Sequence, residues 1–315
     1  MKKININKIN KKIINLHQEY CKVLMPEIVN INGEDKRKKL KDDEVKLLCC
    51  KYPFDFNKPH QNYLNDDIWA FYRNSNRFNQ RNIDYRTQYK HFRTRTDSNW
   101  NALELIKQLN VDICPYCGIN YVKSVKKKNG ETKTIVTLDH YLTESEYPFL
   151  AMNIYNLIPS CRNCNSVFKF QKEDPIIYPY EEALEEFIKF RIKDVYTVID
   201  MIINGKINFP ADIEIITDMA KIIKSQKDLI KKRLENHVAI LELETRYNNF
   251  QNIAKSLIKK RYMYNRTYLN KLETIGNLKN GQLECFLIKQ DIFGKDEVFS
   301  KFKSDIWKQL SKKYQ

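Results

Sequence analysis

A chain of 315 residues with 42% hydrophobic and 12% aromatic residues can bury a sizeable core and hold two or three domains. Its 55 Lys and Arg outnumber 39 Asp and Glu, giving a formal charge of +16 and a pI near 9.3. That surplus favours a polyanionic partner, because each cation that neutralises a phosphate releases a condensed counterion; a Lys-rich, AT-biased genome or an acidic protein partner fits it as well. No stretch approaches the roughly 18 apolar residues of a membrane span.

The opening "MKKININKINKKIINLHQEY" is basic but has no apolar h-region and no small-residue cleavage site, so it does not read as a signal peptide. The expectation is a cytoplasmic protein, off the membrane, with reduced thiols. Residues 1–110 read as a basic, mainly helical region. Within it, "EDKRKKLKDDEVK" (34–46) mixes charges and reads as a solvated segment, helical or linking. Residues 69–100 carry seven Lys or Arg against two acids. Arg73, Arg77 and Arg81 recur every four residues, so a helix would align them on one face. Phe71, Tyr72, Phe78, Tyr85, Tyr89 and Phe92 interleave with the cations. Such a mixture can grip a phosphate backbone and stack bases; it equally suits an amphipathic helix with a core aromatic face.

Residues 111–178 carry the chemistry. "CPYC" (114–117) and "CRNC" (161–164) stand 43 residues apart. In a reduced compartment two CxxC units suggest a four-cysteine zinc site; a redox CxxC is the rival, and it needs no second pair. Two intervening residues let one turn point both sulfurs at one ion. Four thiolates leave no open position, so such a site is structural. Cys21, Cys49, Cys50 and Cys285 lack this spacing and read as buried thiols. After Cys117, β-rich runs flank Asn129-Gly130, which predicts a hairpin from about Tyr121 to Leu138 with Lys126, Lys127 and Lys128 at its tip. Its second strand ends at Asp139-His140. A loop follows over 141–155, then a short strand "NLIPS" (156–160), then a helix from "CRNCNSVFKFQK". Neighbouring strand residues face opposite ways, so Asp139 and His140 serve one site only if the strand ends or twists there.

The stretch "LDHYLTESEYPFLAMNIYNLIPSCRNCNSVFK" resembles the HNH (ββα-metal) endonucleases, and most closely a zinc-stapled subgroup common in bacterial anti-phage defence islands. The likeness runs from Val111 to Lys172. It implies an α+β fold, in which a small ββα-metal core with its four-cysteine zinc site sits between mainly helical flanks. It also implies residue roles. His140 is the general base, and Asn156 orients its ring. Asp139 and Asn165 bind one catalytic divalent ion, Mg²⁺ or Mn²⁺. Cys114, Cys117, Cys161 and Cys164 hold structural zinc. Singly, Asn156 also reads as a turn residue and Asn165 as a helix-start polar group. Lys169, with the basic groups above, joins the expected nucleic-acid contacts.

These residue types suit the chemistry. A neutral imidazole can take a proton from water near neutral pH, and a hard cation prefers oxygen ligands. Thr143-Glu144 replaces the subgroup's Pro-Lys, Gly118-Ile119 its Asn-Arg, and Phe170 its glycine. The implied activity is phosphodiester hydrolysis, DNA favoured, in an anti-phage effector controlled by a partner such as an ATPase or sensor. The same site on RNA, such as tRNA, is an alternative, as is an inactive zinc-stabilised nucleic-acid-binding or assembly module.

From 179 to 315 the pattern is helical. "EEALEEFIKF" opens it, Gly205 and Pro210 interrupt it, and apolar residues then recur at threes and fours from Asp212 to Leu272, Val238 and Leu241 among them. His17, His60, His91 and His237 read as structural or surface residues.

Overall fold

The computed structural model describes residues 1–24, 27–32, 34–38, 45, 85–94, 99–126, 132–134, 136–145, 147, 150–206, 208–218, 227–279, 281–284 and 297–313. Among them helices mix with small antiparallel two-stranded sheets, an α+β arrangement. In helix α1 (Lys11–Leu24), Ile13, His17, Tyr20 and Cys21 fall on one face at three- and four-residue spacing and are buried. Strands β1 (Glu27–Ile31) and β2 (Glu34–Lys38) then pair, Glu27 opposite Lys38. The mixed-charge segment therefore begins as a strand, not as helix or linker. The N-terminal flank is thus not wholly helical.

Helix α2 (Tyr85–Thr94) buries Phe92 edge-on against His17 and Tyr20 of α1. Helix α3 (Ala102–Leu109) starts where the Asn101 side chain accepts the Glu104 N–H. It stops at Asn110, which turns left-handed at φ 50 and donates to the Ile106 carbonyl. Its buried face, Ala102, Leu105, Ile106 and Leu109, leads into the first cysteine knuckle.

The expected long hairpin is divided. β3 (Ser124–Lys126) pairs only with β4 (Thr132–Thr134). β5 (Val136–His140) instead pairs with β6 (Leu157–Cys161), Val136 opposite Cys161 and His140 opposite Leu157. The apolar run of β6 is buried throughout, and β5 buries Val136, Leu138 and Asp139. That burial favours the strand pair beside the knuckles over one long exposed ribbon. Pro159 stands opposite Leu138 at a non-hydrogen-bonded pair, where its missing N–H costs the ladder no bond. A helix over Asn163–Lys169 follows at once. It is wound as a π-helix, with the Phe170 N–H reaching the Asn165 carbonyl five residues back at 2.9 Å.

The C-terminal flank is not wholly helical either. Only Leu184–Phe187 of "EEALEEFIKF" forms helix α4. β7 (Ile188–Ile192) follows, with alternating buried and exposed residues, because "IKFRI" has period two rather than 3.6. After α5 (Val195–Ile203), β8 (Ile213–Thr217) returns to pair with β7. Helices α6 (Lys227–Ile240), α7 (Leu243–Asn248), α8 (Gln251–Met263) and α9 (Arg266–Ile275) come next, and α10 (Ser300–Lys313) packs on β7 and α8. Tyr247 joins this flank to the knuckle, donating its hydroxyl to the Cys117 carbonyl at 2.7 Å. Leu241, Ala254, Leu257 and Ile258 are buried, whereas Tyr268 is exposed. Among the described residues no helix is long and apolar enough to cross a membrane.

Candidate metal centre and active site

The first knuckle is a tight turn: Gly118, at φ 66, donates its N–H to the Cys114 carbonyl at 2.9 Å. The second follows from β6, which ends on Cys161 and places Cys164 in the π-helix. All four sulfurs are buried and lie within 4.8 Å of one another. Four sulfurs at about 2.3 Å from one ion would stand about 3.8 Å apart; those of Cys117 and Cys161 are 3.9 Å apart. Donors converge on them. The Ile119 and Cys161 N–H groups reach Cys117 and Cys114, the Asn120 amide reaches Cys161, and Arg246 reaches Cys164, each at 3.4 Å. Burial works against the Arg246 charge, but the sulfurs of Cys164 and Cys117 outweigh it and raise its pKa. Contacts from Cys114, Cys117 and Cys164 hold the Cys161 thiol well below its ordinary value. A closed, buried, cation-supported set of thiolates fits zinc. Arg246 had no sequence signal, because it arrives from α7.

Tyr116, inside the first knuckle, links this cluster to the second centre. Its hydroxyl donates to Asp139 Oδ2 at 2.7 Å. Lys169 meets the same carboxylate from the π-helix, its Nζ 3.2 Å from Oδ1 and 3.2 Å from Oδ2, and it also donates to the His140 carbonyl at 2.7 Å. Asp139 and Lys169 are both buried. Lys169, expected among the nucleic-acid contacts, is buried here against that carboxylate. Asn165 donates its amide to the Leu138 carbonyl at 3.3 Å, which leaves Oδ1 as its electron-pair donor. The next residue after Lys169, Phe170, stands where the motif has glycine. It is held at φ 43 and ψ −115 with its ring exposed, a strained backbone beside the site.

His140 has different neighbours. β5 stays paired through His140, so the pleat still turns its ring away from Asp139. Its Nε2–H donates to the Ala151 carbonyl at 3.0 Å, which leaves Nδ1 as the basic nitrogen. Burial lowers its pKa, against upward pulls from the Ala151 carbonyl, Glu144 and Asp139, so the ring is neutral near neutral pH. Asn156 does not touch the ring. Its Oδ1 accepts the Leu142 N–H at 2.8 Å, and its Nδ2 donates to Leu142 and Leu150 carbonyls at 3.0 and 3.1 Å. Three successive carbonyls of this loop are thus claimed by three side chains: Leu150 by Asn156, Ala151 by His140, and Met152 by His17 at 2.6 Å. Asn156 shapes the loop that holds the imidazole, and the Ala151 carbonyl does the holding. A backbone acceptor leaves no trace in residue identities.

Two of the other histidines, His17 and His237, are buried and structural. His17 accepts from the Trp100 indole at 3.0 Å, and His237 donates to the Tyr116 carbonyl at 2.8 Å. Arg73, Arg77, Arg81, Lys127, Lys128 and His60 lie outside the described residues, and of Lys126 only the backbone at the end of β3 is described.

The chain is similar to two curated proteins. It is 35% identical over 88 residues to protein ea31 of Escherichia phage lambda, covering 26% of this chain and 25% of that one. It is 26% identical over 158 residues to the Septu protein PtuB of Bacillus thuringiensis, covering 50% of this chain and 56% of that one. The matches thus span a quarter and about half of those relatives' lengths. No family model matches the chain, and no solved structure does.

Proposed function

We propose that this chain is a metal-dependent HNH endonuclease that hydrolyses nucleic-acid phosphodiester bonds, DNA favoured, as an effector of bacterial anti-phage defence. The observation that carries this reading is the state of His140. Its ring is anchored at Nε2 by a backbone carbonyl, which leaves Nδ1 as the basic nitrogen, next in sequence to a buried carboxylate. The order β5, β6, π-helix, stapled by four cysteines, agrees with the motif resemblance. The likeness to the Septu protein PtuB supports the defence setting, and the charge of +16 supports a polyanionic substrate.

In this reading Nδ1 of His140 takes a proton from water as the oxygen attacks phosphorus. The 3′ oxygen leaves, giving a 5′-phosphate and a 3′-hydroxyl. Asp139 and the Asn165 Oδ1 are hard oxygen donors that fit Mg²⁺ or Mn²⁺, and the ammonium of Lys169 marks the carboxylate as a place that holds positive charge. A bound ion there supplies Lewis-acid stabilisation of the phosphate and the departing oxygen. Cys114, Cys117, Cys161 and Cys164 hold zinc and fix β6 and the π-helix to the first knuckle. A cell must restrain such an activity, which calls for a regulatory protein partner such as an ATPase or sensor.

The test is a cleavage panel of plasmid, single-stranded DNA and tRNA with Mg²⁺, Mn²⁺ or EDTA. Cutting with either ion and none with EDTA is expected, and the substrate cut separates DNA from RNA. If no substrate is cut, the nuclease reading fails in favour of a binding or assembly module.

A further inference from the structure

An imidazole held by one hydrogen bond can still swing about its Cβ–Cγ bond. The Ala151 carbonyl gives His140 one restraint. A second comes from outside residues 111–178. The ring of Tyr89, on α2, lies with its centroid 4.4 Å from that of His140, tilted by 59°. Tyr89 is tethered to the same strand, its hydroxyl donating to the Leu138 carbonyl at 2.9 Å. With Tyr141 donating to the Asn156 carbonyl, the alternation of the antiparallel ladder turns the Leu138 carbonyl away from β6, toward donors from other elements. Further along α2, Phe92 is buried against His17, and His17 donates to the Met152 carbonyl next to Ala151. The helix is therefore fixed both to the strand that carries His140 and to the loop that holds its ring.

We propose that Tyr89 is a positioning residue for His140: its ring forms a wall that fixes the imidazole plane, keeping Nε2–H on Ala151 and Nδ1 toward the attacking water. This rests on the reading of His140 as the general base. It makes α2 part of the active site, so the N-terminal region cannot be removed without losing the alignment. The segment that reads in sequence as a nucleic-acid grip serves the base as well.

The experiment compares full-length wild type, Tyr89→Phe and Tyr89→Ala, matched for zinc content. Long-range ¹H–¹⁵N spectra at about pH 8, above the ordinary histidine range, report the His140 tautomer, assigned by its loss in His140→Gln. Tyr89→Phe keeps the wall and loses only the tether. It should retain the single Nε2–H tautomer. Tyr89→Ala should show mixed tautomers, with kcat lowered roughly 10- to 100-fold while KM moves less than about two-fold. A merely structural role would lower the folded fraction of the alanine variant and leave one tautomer in what remains folded. Wild-type tautomer and kcat in Tyr89→Ala would overturn the proposal. If wild type cuts no nucleic acid, the nuclease reading falls, and the tautomer in Tyr89→Ala still decides whether Tyr89 fixes the ring.

Discussion

At the end of β5, His140 donates from Nε2 to the Ala151 carbonyl; within α6, His237 donates from Nε2 to the Tyr116 carbonyl. The bond is the same and the surroundings differ. His140 is half-buried, whereas His237 is fully buried and its Nδ1 has no hydrogen-bond partner. Burial, reinforced by the amino terminus, Arg233 and Arg246, pushes the His237 pKa down to about 4. A carbonyl bond orients a histidine but does not make it a base; access to the second nitrogen does. The two regions also share a support, since Tyr116 accepts from His237 through its carbonyl and holds Asp139 through its hydroxyl.

That support hangs between Cys114 and Cys117, so if the four cysteines hold zinc as proposed, removing it should disturb both regions and have the largest effect. Structural zinc in small domains is worth about 10–16 kcal/mol, comparable to the whole stability of a typical domain. Cys164→Ser, or a strong chelator, should lower the zinc content from one ion per chain and abolish cooperative melting. Mass spectrometry and circular dichroism measure the two. An unchanged melt after complete metal loss would separate both histidines from the cluster.

Lys169→Met acts on the His140 region alone. It leaves the Asp139 carboxylate buried without its cation, at a cost of about 3–5 kcal/mol. Chemical denaturation should show that loss without added divalent ion, and Mn²⁺ should recover part of it. A variant as stable as the parent would mean that the pair contributes nothing.

His237 offers the complementary test. Its folded pKa is depressed from the ordinary 6.5 to about 4, so the unfolded chain binds the proton first. The stabilisation is complete above pH 6.5 and is lost as pH falls toward 4, about 3 kcal/mol in all. His237→Gln keeps a donor for Tyr116 and cannot titrate. Its stability should fall less steeply than that of the parent across this window, and parallel curves would refute the assignment. The smallest effect belongs to Tyr116→Phe, which removes the donor to Asp139 and spares the carbonyl of His237. A loss of about 2 kcal/mol is expected, with the steep acid dependence due to His237 intact.

What could be read from sequence was local. The CxxC spacing brings its sulfurs together because each pair shares one turn, and Asp139-His140 lies at a strand end because the run "TESEYP" that soon follows does not continue the strand pattern. The alternation in "IKFRI" was also legible, but the helical runs around it masked a strand of period two. What could not be read depends on distance or on backbone. Ala151 acts through a carbonyl that any residue would supply. Nothing local to Lys169 signals the buried Asp139 that lies 3.2 Å from it. Tyr89 reaches His140 across 51 positions of sequence, and nothing in the residues between them signals the contact.

The most direct discrimination between the two histidines is the cleavage rate of His140→Ala beside that of wild type, at matched zinc content and melting temperature. Loss of a general base lowers the rate on the order of 10²–10⁴-fold. That drop is expected here, without a change in fold. Cutting by His140→Ala at the wild-type rate would contradict it and move the chemistry away from the end of β5.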